Sequence, residues 1–146
     1  MYRNSEGYAD PTAGSALANV QREERKKERE SRQRIAAVSI RPKVYIVSRY
    51  AGDVERNTQD AIRFCRFAVR QGFIPFASHL LYPQMLRDDL PKEREAGLAF
   101  GLAFLAVCDE VWCFGTEKSP GMVQEIKEAG RLGIFIRYFD LNCEEV

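Results

Sequence analysis

The stretch that decides the fold begins with an apolar run, Val111-Trp112-Cys113-Phe114, and continues through Gly-Thr-Glu-Lys into Ser119-Pro120-Gly-Met-Val-Gln-Glu-Ile-Lys-Glu-Ala129. The apolar run is typical of a buried strand. Ser119 fits the N-cap position of a helix and Pro120 its first residue, and together they are a strong signal for a helix start. The stretch therefore predicts a strand, a short loop and a helix in succession.

Glu125 lies about one and a half turns into this predicted helix. A helix N-terminus at the end of a parallel strand offers free backbone N–H groups and a partial positive charge, which favour an anion. A carboxylate this close to a phosphate-sized cradle suggests chemistry on a phosphorylated sugar. The alternative is a well-capped surface helix with a solvated glutamate, and this stretch alone leaves both interpretations open.

The rest of the chain extends the same alternation. A β-branched apolar run over residues 43–48 predicts a buried parallel strand, and Gly72 marks the end of the helix that follows. The other predicted elements are helices at 54–71, 91–107 and 119–132, strands at 73–77, 110–115 and 134–139, and a loop with a short helical turn at 78–90. Such alternation predicts a single Rossmann-like or flavodoxin-like α/β domain with a parallel sheet of four to five strands and helices on both faces.

Two features set the predicted limits of the domain and its association. Residues 1–41 combine a polar, aperiodic start with a run of mixed charges, which predicts a flexible or loosely helical extension before an α/β domain at 42–146. The helix at 91–107 is apolar nearly all round after Glu95, and Gly97 and Gly101 would let another helix approach closely. Such a helix is either deeply buried or lies at an oligomer interface, and we predict a homo-oligomer.

Composition excludes several classes of function. The formal net charge is +1, so nothing favours nucleic acid or a membrane surface as a partner, and no apolar run is long enough for a transmembrane helix. The start of the chain lacks a signal-peptide pattern, and the four cysteines form no CxxC pair, which favours reduced thiols in a cytoplasmic protein. Because His79 is the only histidine, a zinc site is not expected, and we predict neither a metal nor a cofactor.

Three segments together resemble the nucleoside 2-deoxyribosyltransferase-like superfamily. They are residues 44–48 with Gly52, residues 108–111, and the spacing Ser119-x-Gly121-x-x-x-Glu125-x-x-x-Ala129. The superfamily includes the deoxyribosyltransferases, the nucleoside 5′-monophosphate N-glycosidases and many uncharacterised proteins of phages and mobile elements, which this chain resembles most. The resemblance covers about residues 43–139, and the Ser-x-Gly-x-x-x-Glu spacing is its most specific part.

The resemblance implies two catalytic residues. Glu125 matches the family nucleophile, which attacks C1′ of the sugar and displaces the base. A carboxylate suits an oxocarbenium-like transition state, because it stabilises the charge and can trap the sugar covalently. Tyr45 matches the tyrosine of the first strand that orients this glutamate. The implied reaction is N-glycosidic cleavage of a nucleoside or nucleoside 5′-monophosphate, with water or a second base as acceptor.

The resemblance also implies residues that bind the substrate. Ser119 and Gly121 match positions that hold the 5′-phosphate, and Ser48, Arg49 and Gly52 match the first loop of the nucleotide site. His79 lies in the loop after the second strand, which the predicted topology places nearby. A purely structural role remains the alternative for three side chains: Tyr45 as a core tyrosine, Arg49 as a surface arginine and His79 as a structural histidine.

One position departs from the family pattern. Active members carry an acidic residue eight positions before the aspartate that Asp109 matches, and this residue helps to protonate the leaving base. Here that position is Gly101, and loss of a general acid costs roughly 10²–10⁴-fold in rate. Either another group such as His79, Asp88 or Asp89 supplies the proton, or the chain binds nucleotides or ADP-ribose-like ligands without cutting them well. An interaction protein that works through the charged extension is the third hypothesis.

Overall fold

The computed structural model describes residue 3 and residues 5–146 of the chain. Residues 1, 2 and 4, which the predicted extension includes, lie outside the described residues. In chain order the elements are α1 (Pro11–Ser39), β1 (Lys43–Val47), α2 (Val54–Arg70), β2 (Ile74–Phe76), α3 (Pro91–Leu105), β3 (Glu110–Phe114), α4 (Pro120–Leu132) and β4 (Phe135–Phe139). Two short 3₁₀ turns, Ser78–Leu80 and Tyr82–Gln84, stand between β2 and α3.

The four strands form one parallel sheet in the order β2-β1-β3-β4. Successive residues of a strand face opposite sides of the sheet. Val44 and Ile46 of β1 accordingly pack with Phe64 and Ala68 of α2. Tyr45 and Val47 pack on the other side, with Leu105 of α3 and with Met122 and Ala129 of α4. This arrangement confirms the predicted α/β fold with helices on both faces of a parallel sheet.

The predicted strand at 73–77 is shorter in the structure, because the end of α2 takes up its first residue. Gly72 has a φ of 85°, a left-handed conformation that glycine adopts without strain. The N–H of Phe73 then donates to the carbonyl of Ala68 at 3.0 Å, which closes the helix in the manner of a Schellman motif. Phe73 is therefore part of the helix terminus, and strand pairing begins at Ile74.

Helix α3 is less buried than its composition suggests. Of its residues only Gly101 and Leu105 are buried, whereas Phe100, Phe104 and Val107, just past the helix end, are 47%, 46% and 66% exposed. The sheet covers one side of the helix only, and Phe104 on its flank stacks on Phe76 with ring centroids 4.5 Å apart. Deep burial is therefore wrong for the single chain, and the oligomer interface stays a prediction.

Both outer strands of the sheet carry a feature that limits further pairing. Strand β2 has three residues, and its central residue Pro75 has no N–H to donate. Beside β4, residues 140–146 fold back along the strand, and the N–H of Val146 donates to the carbonyl of Tyr138 at 3.0 Å. Glu145 accepts two hydrogen bonds from Arg137, at 2.9 and 2.7 Å.

The chain divides into two units, residues 1–40 and 41–146. The first unit consists mainly of α1, whose N-cap residue Asp10 accepts hydrogen bonds from the N–H groups of Thr12 and Ala13. None of the residues of α1 is buried. Within residue 3 and residues 5–146, every helix is too short or too polar to span a lipid bilayer.

Candidate active site

Glu125 lies on the buried stripe of α4. The side chain of Ser119 accepts a hydrogen bond from the N–H of Met122 at 3.3 Å, and Pro120 is the first helical residue. The helix therefore starts at the predicted position. Its buried residues are Met122, Glu125 and Ala129, three and four positions apart, so they share one face of the helix. Because its neighbours on this face are apolar, the Glu125 side chain enters the core and keeps 5% of its surface exposed.

Three elements meet at the hydroxyl of Tyr45. This fully buried side chain comes from β1 and donates a hydrogen bond to Glu125 Oε1 at 2.7 Å. Ser78 Oγ, at the start of the first 3₁₀ turn, lies 3.0 Å from the same hydroxyl. A phenol carries one proton, and a carboxylate is the stronger acceptor, so the serine acts as the donor to tyrosine. The position of Glu125 is thus fixed through one oxygen.

The second oxygen of Glu125 has no such partner. Its Oε2 is buried, and no residue in the described part of the chain hydrogen-bonds to it. Burial raises the pKa of Glu125 to about 7, against the opposing effect of the hydrogen bond from Tyr45. Burial and the charge of Glu125 also raise the pKa of Tyr45, so the phenol keeps its proton. Near neutral pH the carboxyl group therefore exists in both forms, with one oxygen that is not held by a hydrogen bond.

Gly101 of α3 faces this network directly. A Cβ atom at residue 101 would lie 2.9 Å from Tyr45 Oη and 3.4 Å from the Cβ of Ser78. The first distance is shorter than real Cβ contacts, so the space that a side chain would need is already occupied. At residue 101, where the resemblance implies an acidic residue, Tyr45 and Ser78 therefore occupy the space that a side chain would need.

An open cleft of about 600 Å³ lies in front of Glu125. This volume is in the usual range for a small-molecule site. The loop after β1, the 3₁₀ turns, the first half of α3 and the N-terminus of α4 form its walls. Its charged lining consists of four carboxylates and two guanidinium groups, from Asp88, Glu93, Glu95, Glu125, Arg87 and Arg94. No group of three or more His, Cys, Asp or Glu side chains that could hold a metal ion occurs among the described residues.

The first turn of α4, which also lines the cleft, has little capacity left for an anion. Pro120 has no N–H, and the N–H groups of Met122 and Val123 donate to the side chain and the carbonyl of Ser119. Gly121 is left as the first-turn amide to which no described residue offers an acceptor. A Cβ atom at Gly121 would meet nothing within 4 Å. The helix N-terminus therefore offers one amide and the Ser119 hydroxyl, rather than a full cradle.

His79 lines the cleft and also holds the loop after β1. Its ring stacks on Tyr50 with centroids 5.1 Å apart, and Nε2 lies 3.0 Å from the carbonyl oxygen of Ser48. Burial lowers the pKa of His79. The imidazole is therefore neutral at pH 7, and its Nε2–H donates to Ser48. His79 therefore makes structural contacts and also lines the cleft, so the two interpretations of this residue are compatible.

The other three residues of the predicted binding site lie elsewhere. Ser48, Arg49 and Gly52 line a second cleft of about 600 Å³, beside α2. The reason is strand alternation: Val47 faces α3 and α4, so the next residue turns to the opposite side. The loops after β1 and β3 do meet, since Arg49 pairs with Glu117 at 3.0 Å. The structure thus groups His79, Ser119, Gly121 and Glu125 in one cleft, with Tyr45 beneath it, and separates them from Ser48, Arg49 and Gly52.

Ser78 is the site residue that the sequence interpretation missed. It follows β2 after one residue, in a position similar to that of Ser48 after β1. A small polar residue at the carboxyl end of a parallel strand is a signal that could have pointed to it.

Comparison with known proteins agrees with this architecture. A family model described as a domain of unknown function (DUF7768) matches residues 42–139. A search among curated proteins finds no match. Among solved structures, a 2-deoxyribosyltransferase from Bacillus psychrosaccharolyticus is 16% identical, with a TM-score of 0.54 over 67% of this chain and 72% of that one.

Two further structures are similar at lower scores. A 2-deoxyribosyltransferase from Leishmania mexicana is 12% identical, with a TM-score of 0.50 over 68% of this chain and 64% of that one. A CMP N-glycosidase from Clostridium botulinum is 18% identical over 67% of this chain and 68% of that one, but its TM-score of 0.43 is too low to support an argument. At these identities the likeness concerns the fold, and it confirms a nucleoside 2-deoxyribosyltransferase-like fold.

Proposed function

The chain belongs to the DUF7768 family of domains of unknown function, and we propose that it cleaves or transfers the N-glycosidic bond of a nucleoside or nucleoside 5′-monophosphate. One observation carries the proposal: Glu125 is a buried carboxyl group, held through one oxygen by Tyr45, at the wall of an open cleft of about 600 Å³. The 2-deoxyribosyltransferases that share the fold support this reaction class.

The chemistry assigns Glu125 the role of nucleophile. Its ionised carboxylate attacks C1′, the bond between C1′ and the base nitrogen breaks, and water or a second base later releases the sugar from the enzyme. Tyr45 holds Oε1, so Oε2 is the attacking atom. Because the site is buried, the charge of the carboxylate acts strongly on an oxocarbenium-like transition state.

At the other end of the sugar, Ser119 and Gly121 are the proposed contacts to the 5′ position. The Ser119 hydroxyl accepts from the helix but can still donate its own proton, and the Gly121 N–H is the second donor. His79 lines the same cleft and is proposed to contact the nucleoside. Ser48 can influence this cleft through the hydrogen bond that its carbonyl accepts from His79, whereas Arg49 and Gly52 can do so through the loop they share with Ala51, which forms part of both clefts.

The test is release of free base from a panel of nucleosides, nucleoside 5′-monophosphates and NAD, measured by chromatography. The matched pair of variants is Glu125→Gln and Glu128→Gln, because Glu128 lies on the same helix but is only partly buried and is paired with Arg131. We expect base release that Glu125→Gln abolishes and Glu128→Gln leaves intact. Base release that persists in the Glu125→Gln variant would show that Glu125 is not the nucleophile.

The second candidate function is a nucleotide-binding or ADP-ribose-binding protein with weak or no catalysis. The occupied space at Gly101 favours it, because a binder needs no group to protonate the base. Gly121→Ala tests whether binding uses this cleft, since the added methyl group points into open space and leaves the fold intact. We expect the variant to abolish a ligand-induced thermal shift. An unchanged shift would place the ligand elsewhere.

Self-association is part of the proposal. The exposed apolar surface formed by Phe100, Phe104 and Val107 on and after α3 would be covered in a homo-oligomer. Light scattering at micromolar concentration should give a mass above that of the single chain, and Phe104→Lys should reduce it. A monomer under these conditions would contradict this part. The cytoplasmic location and the origin in a phage or mobile element stay predictions.

A further inference from the structure

The absence of room at Gly101 has a chemical consequence for the leaving group. A neutral base leaves C1′ as an anion unless a group protonates it. The family supplies that proton from the position of Gly101, where in this chain even a methyl group would lie 2.9 Å from Tyr45 Oη. An acid therefore cannot be restored at this position without displacing the side chain that holds Glu125.

The other groups at the cleft are engaged as acceptors or lack burial. A carboxyl group keeps a proton at neutral pH when it is buried or faces another carboxylate. Of the four carboxyl groups that line the cleft, only Glu125 is buried. Asp88 lies 3.9 Å from Arg94, and Glu93 accepts a hydrogen bond from the N–H of Arg87.

The two remaining candidates are engaged in other hydrogen bonds, Asp89 as an acceptor and His79 as a donor. Asp89, outside the cleft lining, pairs with Arg87 through two hydrogen bonds of 3.1 and 2.7 Å. His79 is neutral and donates its Nε2 proton to the Ser48 carbonyl. Among the carboxyl and imidazole groups that face the cleft in the described part of the chain, none is arranged to give a proton to a departing base.

The charge of the cleft lining also bears on which substrates the site can accept. Four carboxylates face two guanidinium groups across the lining, and Glu125 Oε2 is buried without a hydrogen-bond donor. A positive charge on the ligand would compensate this carboxylate and favour its ionised, nucleophilic form. A ligand with several phosphates would instead meet an excess of negative charge.

We propose that the preferred substrates are N-glycosides whose base already carries a positive charge, namely N-ribosylpyridinium compounds or N7-alkylated purine nucleosides. The inference rests on the proposed function of the same site and deepens it by naming the substrate class. The closed position at Gly101 and the excess of carboxylates in the cleft carry it.

The reaction balances without a general acid. A carboxylate oxygen of Glu125 forms a bond to C1′ as the bond from C1′ to the base nitrogen breaks. The electron pair of the broken bond neutralises the charge on the ring, so the base leaves as a neutral molecule. Water then attacks C1′ of the glycosyl ester, the free sugar leaves, the carboxylate is restored and one proton passes to solvent.

The experiment compares matched cationic and neutral substrates with the full chain. Nicotinamide riboside and 7-methylguanosine are set against guanosine and inosine, and nicotinamide mononucleotide and NAD separate the free riboside from its phosphorylated forms. For each substrate, only the part of the rate that is lost in the Glu125→Gln variant and kept in the Glu128→Gln variant is counted. This correction is needed because cationic glycosides are intrinsically more labile. We expect kcat/KM for the cationic substrates to exceed that for the neutral ones by about 100-fold or more, the contribution of a missing acid.

The pH profile supplies a second readout. With nicotinamide riboside, which does not titrate, kcat/KM should rise as Glu125 ionises and then stay level. A falling limb at higher pH would reveal an acid and overturn the inference. Neutral nucleosides cleaved within about tenfold of cationic ones would overturn it too, while the proposed function stands. No Glu125-dependent release from any of these substrates would overturn both.

Discussion

The two faces of the sheet are covered by different kinds of side chains. The layer between the sheet and α2 is rich in aromatic rings, with Phe64 contributed by α2 and Trp112, Phe114 and Phe139 contributed by the sheet. Phe114 stacks between Phe64 and Phe139, with centroid distances of 4.1 and 5.0 Å. The face toward α3 and α4 instead encloses a polar network of Tyr45, Ser78 and Glu125.

This difference separates stability from chemistry within one small domain. The aromatic face buries large apolar surfaces, which are the main source of folding free energy, and the Nε1–H of its Trp112 is satisfied by Glu110 at 2.7 Å. The opposite face buries an ionisable carboxyl group with one unpaired oxygen, which lowers stability but poises the group for reaction. Substitutions on the two faces should therefore change different quantities.

The largest effect on stability is expected from Trp112→Ala on the aromatic face. Trp112 is fully buried and contacts the rings of Phe67, Phe73 and Phe139. Its truncation should lower the free energy of unfolding by about 3–5 kcal/mol, through lost burial and the cavity left behind. Urea denaturation measures this loss. Any activity measured on the folded fraction should be unchanged, and a selective loss of activity would break the proposed division between the faces.

Glu125→Gln should act in the opposite direction on stability, and only at higher pH. The folded-state pKa of about 7 lies above the unfolded value of 4.5, so the wild type loses stability as pH rises through this interval. The variant lacks this loss and should gain about 3 kcal/mol relative to the wild type between pH 4.5 and pH 8. Denaturation at both pH values, with Glu128→Gln as control, measures the difference. A difference that does not change with pH would contradict the raised pKa.

Gly101→Ala should disturb the polar face through crowding. The new methyl group meets Tyr45 Oη at 2.9 Å, and relief of this contact should lower the free energy of unfolding by about 2 kcal/mol. Gly97→Ala is the matched control in the same helix, because its Cβ would lie 3.5 Å from Leu86 Cδ1 in ordinary contact. The control should be neutral or slightly more stable. Equal stability of the two variants would show that the space at residue 101 is open after all.

Tyr45→Phe should give the smallest change in stability, about 1 kcal/mol, together with a shift in the titration of Glu125. The tyrosine hydrogen bond lowers the pKa of Glu125, so its removal should raise that pKa further. The pH dependence of stability, or of base release where it occurs, should move to higher pH accordingly. A downward shift would mean that the hydroxyl does not stabilise the carboxylate.

Much of the fold could be predicted from the sequence because its signals are local. Ser119 with Pro120 marks the start of α4, Gly72 marks the end of α2, and the apolar runs of β1 and β3 are those of buried strands. The exposure of α3 could not be predicted, because an apolar helix does not reveal how many layers cover it. That property belongs to the packed molecule.

From local patterns the site was predictable only where one element carries it, whereas the contact between Tyr45 and Glu125 was implied by the resemblance and is present at 2.7 Å. The Ser-x-Gly-x-x-x-Glu spacing lies within a single helix, so Ser119, Gly121 and Glu125 necessarily lie near one another. Ser78 and the closed space at Gly101 depend on how three elements meet around Tyr45, which no local pattern encodes. The separation of Ser48 from Glu125 follows from the alternation of β1, but only once the faces occupied by the helices are known.

The outer edges of the sheet have a bearing on how copies of this molecule can meet. Exposed strand edges are templates for uncontrolled pairing and aggregation. Here Pro75 interrupts the donors of the short strand β2, and the returning segment at residues 140–146 already occupies the backbone of β4 at Tyr138. Sheet extension from one molecule to the next is thereby discouraged at both ends. Association between copies would then use the helical surfaces, and α3 offers the exposed aromatic side chains Phe100 and Phe104 for it.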